Sequence, residues 1–344
     1  MLQAIIPTLM NAIEGKINSI SILAWIVLII SFLILAKSAD LFVDSAVSVA
    51  NKFDISKLII GLVLVSFATT APELCVSLTA ALKGNPEMAL GNAVGSVICN
   101  TGLALGAAGI IAPTAIKVLP KILKTSGFFL ILVSILCFLF LVKDYTLSSM
   151  EGGILLIVFI IYLAYMFREY KSGRIEMNPD DAKPSEQLKN LSLPKMCMIF
   201  LIGLFGILIA SEFIVISATS IAHTLHIPES VIALTLVALG TSIPEVATCV
   251  IAARKGHGEI AIGNILGANI LNICWVAGAS AMANPLILSQ REMFFMFPAM
   301  FIIVITMLTA LWTRSTLTKK EGALLMVLYF IYIAFTMIFF PPEM

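Results

Sequence analysis

Ten apolar stretches of about 20 residues, separated by short charged or Pro/Gly-containing segments, run along this 344-residue chain. That is the length an α-helix needs to cross ~30 Å of hydrocarbon, where every backbone N–H and C=O must be satisfied within the segment itself. The pattern predicts an all-α membrane protein with spans at 20–50, 57–82, 87–112, 121–142, 148–168, 195–222, 229–253, 259–283, 292–313 and 321–340. Composition agrees: 60% of the residues are hydrophobic and 12% charged, more apolar surface than a soluble domain can hide. The first 18 residues lack a basic signal-peptide start and carry Glu14 and Lys16, so they read as an interfacial lead-in.

The placement of the basic residues orients the chain. With the N-terminus outside, the inner loops hold 16 of the 21 Lys and Arg, the outer loops hold Lys16, Lys83, Lys143 and Arg291, and Lys37 falls within the first span. By the positive-inside rule both termini lie outside and the 169–194 segment lies in the cytoplasm. A net charge of +1 points to no nucleic acid or acidic partner. The six cysteines lie in or at the edge of apolar spans without a CxxC spacing, which favours buried small hydrophobes over redox or metal chemistry. The three histidines sit at span ends as surface caps, and there is no HExxH.

Sliding the chain against itself by 172 residues aligns Asp40 through Gly106 with Glu212 through Gly278 without a gap. Between 61–106 and 233–278, 18 of 46 positions are identical, too many for shared apolar composition alone. Five spans per half is an odd number, so the second half enters the bilayer from the opposite side to the first. The expected architecture is ten transmembrane helices as two inverted five-helix repeats, with broken helices at the centre. Its divisions are 1–168 for the first repeat with its lead-in, 169–194 for the linker and 195–344 for the second repeat. Such inverted repeats are typical of secondary transporters, whose ion sites lie at the repeat interface near the midplane.

The second span carries Ser66-Phe67-Ala68-Thr69-Thr70-Ala71-Pro72-Glu73, and its mate in the seventh carries Ala238-Leu239-Gly240-Thr241-Ser242-Ile243-Pro244-Glu245. A proline in a helix interior leaves the carbonyl four residues earlier without its hydrogen bond, here Ala68 and Gly240. The next residue is a carboxylate at mid-bilayer depth, where a charge costs about 2.5–3.5 kcal/mol on insertion scales. No lysine or arginine stands at that depth, so the partner of Glu73 and Glu245 is a cation or a proton. The third and eighth spans begin Gly91-Asn92-Ala93-Val94-Gly95-Ser96 and Gly263-Asn264-Ile265-Leu266-Gly267-Ala268, with glycines four apart that admit close helix contact. Ser96 and Asn100 share one helix face, as do Ala268 and Asn272.

Two carboxylates, two amides, several hydroxyls and loose carbonyls form a hard-oxygen set suited to calcium, with its 6–8 oxygen ligands. Sulfur and imidazole are absent from the set, which argues against zinc or copper. Any single hydroxyl could equally bond back to its own helix. Asp40, Asp44 and Glu212, nearer the span ends, suit structural or gating pairing through water or Lys37.

These paired motifs resemble the two alpha-repeats of sodium/calcium exchangers, over both halves and the ten-span layout. The resemblance implies a secondary antiporter, not an enzyme, that exchanges calcium for sodium by alternating access in the cell membrane. It implies no cofactor and no partner beyond the ions and the bilayer, with a monomer sufficient for transport. It implies Glu73 and Glu245 as central calcium ligands and Asn100 and Asn272 completing the middle site. Thr69 and Thr241 would serve calcium and the flanking sodium sites, Ser66 and Ala238 would give backbone oxygens, and Thr70, Ser242 and Ser96 would stand nearby. Asn272 replaces the aspartate typical of potassium-dependent relatives, which implies potassium independence. Ala268 replaces a serine, which keeps proton-coupled calcium exchange as the alternative, and Ala68 replaces a glycine, which would stiffen the first broken helix. A cation channel and an intramembrane hydrolase are the rivals from other classes; inversion favours a carrier, and no nucleophile–base pair is present.

Overall fold

The computed structural model describes residues 21–53, 55–118, 120–171, 192–224 and 238–340. The lead-in, most of the 169–194 linker, His226 and the opening of the seventh span, 229–237, lie outside the described residues. Among the described residues, nine helices are long and apolar enough to cross a membrane. In chain order the helices are α1 Ser21–Lys52, α2 Lys57–Leu82, α3 Pro86–Ile111, α4 Pro120–Asp144, α5 Ser149–Lys171, α6 Leu193–Thr224, α7 Ile243–Arg254, α8 Gly258–Ala283, α9 Gln290–Arg314 and α10 Lys319–Phe339.

Local chemistry sets the ends. Capping boxes open α9 (Ser289 with Glu292) and α10 (Thr318 with Glu321), and Ser148 pairs with Glu151 in the same way at the start of α5. Helices α2 and α7 close on Gly84 and Gly256, at φ +81° and +79°, the left-handed position that glycine takes without a Cβ penalty. Among the described residues four two-residue strands tie the helix ends: β1 Ile116–Lys117 pairs with β4 Thr316–Leu317, and β2 Thr146–Leu147 pairs with β3 Leu286–Ile287. The pairings are reciprocal between the halves. So are two close backbone contacts, Gly106 against Gly322 and Gly278 against Gly152.

Helix α8 lies at the centre, with every residue from Gly258 to Leu271 buried. Helices α1, α5 and α6 turn Ile29, Leu33, Ile157, Ile161, Phe205 and Ile209 outward, as lipid-facing helices do. Cys75 and Cys197 also lie exposed on this apolar outside, against the expectation that all six cysteines are buried; a small weakly polar thiol is tolerated there.

The centre corrects the expectation of two broken helices. In the first half the chain is helical throughout, passing through a π-helical turn at Gly61–Val65 and then an unbroken α-helix, Ser66–Leu82, that contains Pro72. One missing rung is tolerated when the bonds on either side hold, and Ala68 favours helix where a glycine would not. In the second half, residues 238–240 form one short turn, Thr241 and Ser242 break it, and α7 restarts at Ile243. Pro244 then sits in the first turn, where its missing N–H costs nothing, and Gly240 stands before the break.

At the far end of α7, Lys255 donates to Asp44 Oδ1 at 2.8 Å and lies 3.2 Å from Asp40 Oδ1. This corrects Lys37 as their partner: the cation arrives from a loop 211 residues away in sequence. Next to it, His257 stands at the N-cap of α8, as its span-end position implies, but it is half-buried and makes no side-chain cap bond. Burial and the neighbouring Lys57 push its pKa down to about 4. In the unfolded chain it protonates near pH 6.5, so folded stability is expected to fall between about pH 6.5 and 4, by about 1–2 kcal/mol after allowance for its partial exposure. Thermal unfolding of His257→Gln should show a correspondingly flatter acid limb; identical limbs would mean that His257 is not the group responsible.

Candidate functional site

A π-turn precedes Ser66 and a break precedes Ile243 on the two segments that carry the Pro-Glu pairs. Glu73 and Glu245 are both fully buried, and Thr70, three residues before Glu73 on α2, donates across to Glu245, which sets the two acidic residues at one contact between the halves. Two ionised carboxylates offer only acceptors, so neither satisfies the other without a proton or a cation between them. Among the described residues both Glu73 oxygens and Glu245 Oε2 lack a hydrogen-bond partner, and Glu245 Oε1 accepts a long bond, 3.4 Å, from Thr70 Oγ1 across the half boundary.

Two further π-helical turns start at the predicted asparagines, Asn100–Ala104 within α3 and Asn272–Val276 within α8. π-turns in α-helices occur frequently at functional sites because they turn a side chain and its carbonyl out of the regular ladder. The Asn100 turn packs on α7, which carries Glu245, and the Asn272 turn packs on α2, which carries Glu73. Both asparagines are fully buried, and among the described residues neither amide has a hydrogen-bond partner at either end. Native interiors pair nearly all such groups, so this many orphaned polar atoms at one place calls for a missing partner.

The hydroxyls divide into two kinds. Ser66 Oγ spends its hydrogen on Leu62 O at 2.6 Å, and the Ser66 carbonyl accepts from Thr69 at 3.4 Å. Ser242 Oγ and Ser96 Oγ meet at 3.4 Å from opposite halves, whereas Ala268 leaves the matching position of α8 without a hydroxyl. Thr69 and Thr70 are fully buried, and Thr241 is half-buried. Ala238 opens the short turn before the break, and its side chain lies outside the described residues.

Sequence patterning missed Asn92 and Asn264 as site residues. Thr241 donates to Asn92 Oδ1 at 3.2 Å and Thr69 to Asn264 Oδ1 at 3.3 Å, each across the half boundary. The available signal was their identity at the 172-residue offset.

One flank of the site opens on a cavity of about 400 Å³ lined by Asn92, Ser96 and Thr241, with Glu87 and Glu292 also in its wall. The other flank is tightly packed among the described residues. Gly263 and Gly267 of α8 lie so close to α2 that a Cβ on either would land on the carbonyl oxygens of Leu58 and Leu62. Their mates Gly91 and Gly95 have open space or only Met296 Cε, 4.0 Å away.

The chain matches the family model described as sodium/calcium exchanger protein over residues 23–168 and 195–338. It is 30% identical over 350 residues to the sodium/calcium exchanger MaX1 of Methanosarcina acetivorans, covering 92% of this chain and 98% of that one. It is 35% identical over 268 residues to the inner membrane protein YrbG of Escherichia coli, covering 77% and 81%. A solved structure of the sodium-calcium exchanger NCX_Mj, soaked with sodium and strontium, is similar with a TM-score of 0.76 at 29% identity, over 92% of this chain and 99% of that chain. With both halves matched and buried carboxylates meeting where the halves join, the chain belongs to the sodium/calcium exchanger family of prokaryotic type, multi-pass membrane antiporters of calcium and other cations.

Proposed function

We propose that this protein exchanges calcium for sodium by alternating access, through an ion site built on Glu73 and Glu245. The observation that carries the reading is the cluster of buried, unpartnered polar atoms on Glu73, Glu245, Asn100 and Asn272. A divalent cation would neutralise both carboxylates and take up the amide oxygens, with Thr69 and Thr241 completing a shell of calcium-like coordination number. Ser66 and Ala238 would add backbone oxygens, and Thr70, Ser242 and Ser96 would line the flanks for sodium. Loaded, the site is close to neutral and the carrier switches; empty, two negative charges in a low dielectric oppose the switch. Asn272 in place of a carboxylate supports potassium independence. The absent hydroxyl at Ala268 favours the second reading, calcium/proton exchange.

The reciprocal strand and glycine contacts support two inverted five-helix halves, 1–168 and 195–344, joined by a cytoplasmic linker at 169–194. With the basic loops inside and both termini outside a cell membrane, the 400 Å³ cavity faces outward. Lys255, bridging Asp40 and Asp44, then ties the inner end of α1 to the α7–α8 loop. For a pair about a quarter exposed this tether is worth on the order of 1–2 kcal/mol. Lys255→Met is expected to raise hydrogen–deuterium exchange across the inner end of α1 several-fold and to be non-additive with Asp44→Asn. Exchange that stays at the wild-type level would remove the tether from the mechanism.

The deciding experiment is calcium-45 uptake into liposomes loaded with sodium, potassium or lithium, or under an imposed pH gradient. Sodium alone should drive uptake. Uptake that follows the pH gradient and ignores sodium selects the proton-coupled reading.

A further inference from the structure

Behind the two threonines of the site stand two matched hydrogen-bond chains. Asn264 Oδ1 shares the single hydroxyl hydrogen of Thr69 with Ser66 O, at 3.3 and 3.4 Å, Asn264 Nδ2 donates to Cys249 Sγ at 3.5 Å, and Cys249 Sγ donates to Ala261 O at 3.5 Å. Asn92 Oδ1 accepts from Thr241 Oγ1 at 3.2 Å, Asn92 Nδ2 donates to Ser77 Oγ at 3.0 Å, and Ser77 Oγ donates to Ala89 O at 3.1 Å. Asn92 Nδ2 also reaches the backbone oxygen of Glu73 at 3.4 Å. Residue for residue the two chains are related by the 172-residue offset, and they differ at one link, Ser77 against Cys249.

A hydroxyl that ligates a cation must present its oxygen lone pairs and point its hydrogen away. Each asparagine supplies an acceptor on the far side of a threonine contributed by the other half. The amide orientation follows from the residue behind it: Ser77 and Cys249 spend their single hydrogen on the carbonyls of Ala89 and Ala261, so toward the amide they can only accept, from its NH₂ end. Sulfur is a weak acceptor and a weak donor, so the cysteine chain is the looser of the two.

We propose that Asn92 and Asn264 are positioning residues for the transported cation, which turn the oxygens of Thr241 and Thr69 toward it, and that Cys249 leaves Thr69 the less firmly oriented threonine. The inference rests on the ion site proposed above. Neither asparagine touches the ion; each acts through a threonine, so its loss changes ion affinity more than turnover.

The test uses the purified full chain, measuring thermal stabilisation by calcium and by sodium, and half-saturating calcium and maximal rate in proteoliposomes. Asn264→Ala or Asn92→Ala should raise half-saturating calcium about threefold to tenfold, the range one hydrogen bond spans, with a smaller change in maximal rate. Cys249→Ser should tighten calcium binding about threefold and Ser77→Cys should weaken it, an opposed pair that a purely structural role would not give. Should the asparagine variants fail to fold, the Cys249 and Ser77 variants still decide. Calcium affinity unchanged in Cys249→Ser, or asparagine variants that lower only the ion-free melting temperature, would overturn the positioning role. A wild type that calcium does not stabilise would instead overturn the ion site itself, and the positioning role with it.

Discussion

Glu73→Gln and Glu245→Gln are each expected to reduce sodium-driven calcium uptake more than a hundredfold. Each exchange removes one of the two charges that would neutralise a divalent ion while keeping the shape of the side chain. In a low-dielectric site that charge is worth several kcal/mol to the bound ion, and a hundredfold loss corresponds to about 2.7 kcal/mol. The same substitution relieves the desolvation of an uncompensated buried carboxylate. The ion-free melting temperature should therefore not fall, which separates loss of the site from loss of the fold. Uptake above a tenth of wild type in both variants would mean that the transported charge is neutralised elsewhere.

The second large effect is a contrast between repeat mates. Gly267→Ala should cost about 1–3 kcal/mol or more and with it most of the transport, because the added methyl lands on the Leu62 carbonyl oxygen and on Ser66 Oγ. Helix α2 would have to move at the residues that lead into Thr69 and Glu73. Gly95→Ala, at the equivalent position of the other half, meets nothing nearer than Met296 Cε at 4.0 Å and should stay within about 0.5 kcal/mol of wild type. Melting temperature and uptake, measured side by side, check both. Equal penalties for the pair would mean that the two flanks are packed alike and that the asymmetry seen here is not maintained in the membrane.

That asymmetry was not legible in the chain, although much around it was. Span lengths could be read directly, because hydrocarbon thickness fixes how long an apolar helix must be. The pairing of Glu73 with Glu245 followed from the 172-residue register and from the cost of a lone carboxylate at that depth. The partner of Asp40 and Asp44 was misassigned to Lys37, a near neighbour in sequence, because nothing local shows that Lys255 folds back beside them. Pro72 and Pro244 looked alike as motifs. They differ in structure because Ala68 sustains a helix where Gly240 does not, and because a π-helical turn precedes the first and a true break precedes the second.

By itself the sequence determined the membrane class, the internal repeat and the presence of one carboxylate in an apolar span of each half, since each follows from periodicity, repetition and residue type, all local properties of the chain. Tertiary structure alone decided which half faces a cavity, which glycines are pressed against a neighbouring backbone, and which asparagine holds which threonine. Those are contacts between residues some 150 to 200 positions apart, and their energies depend on distances of tenths of an ångström that no pattern of residue types encodes.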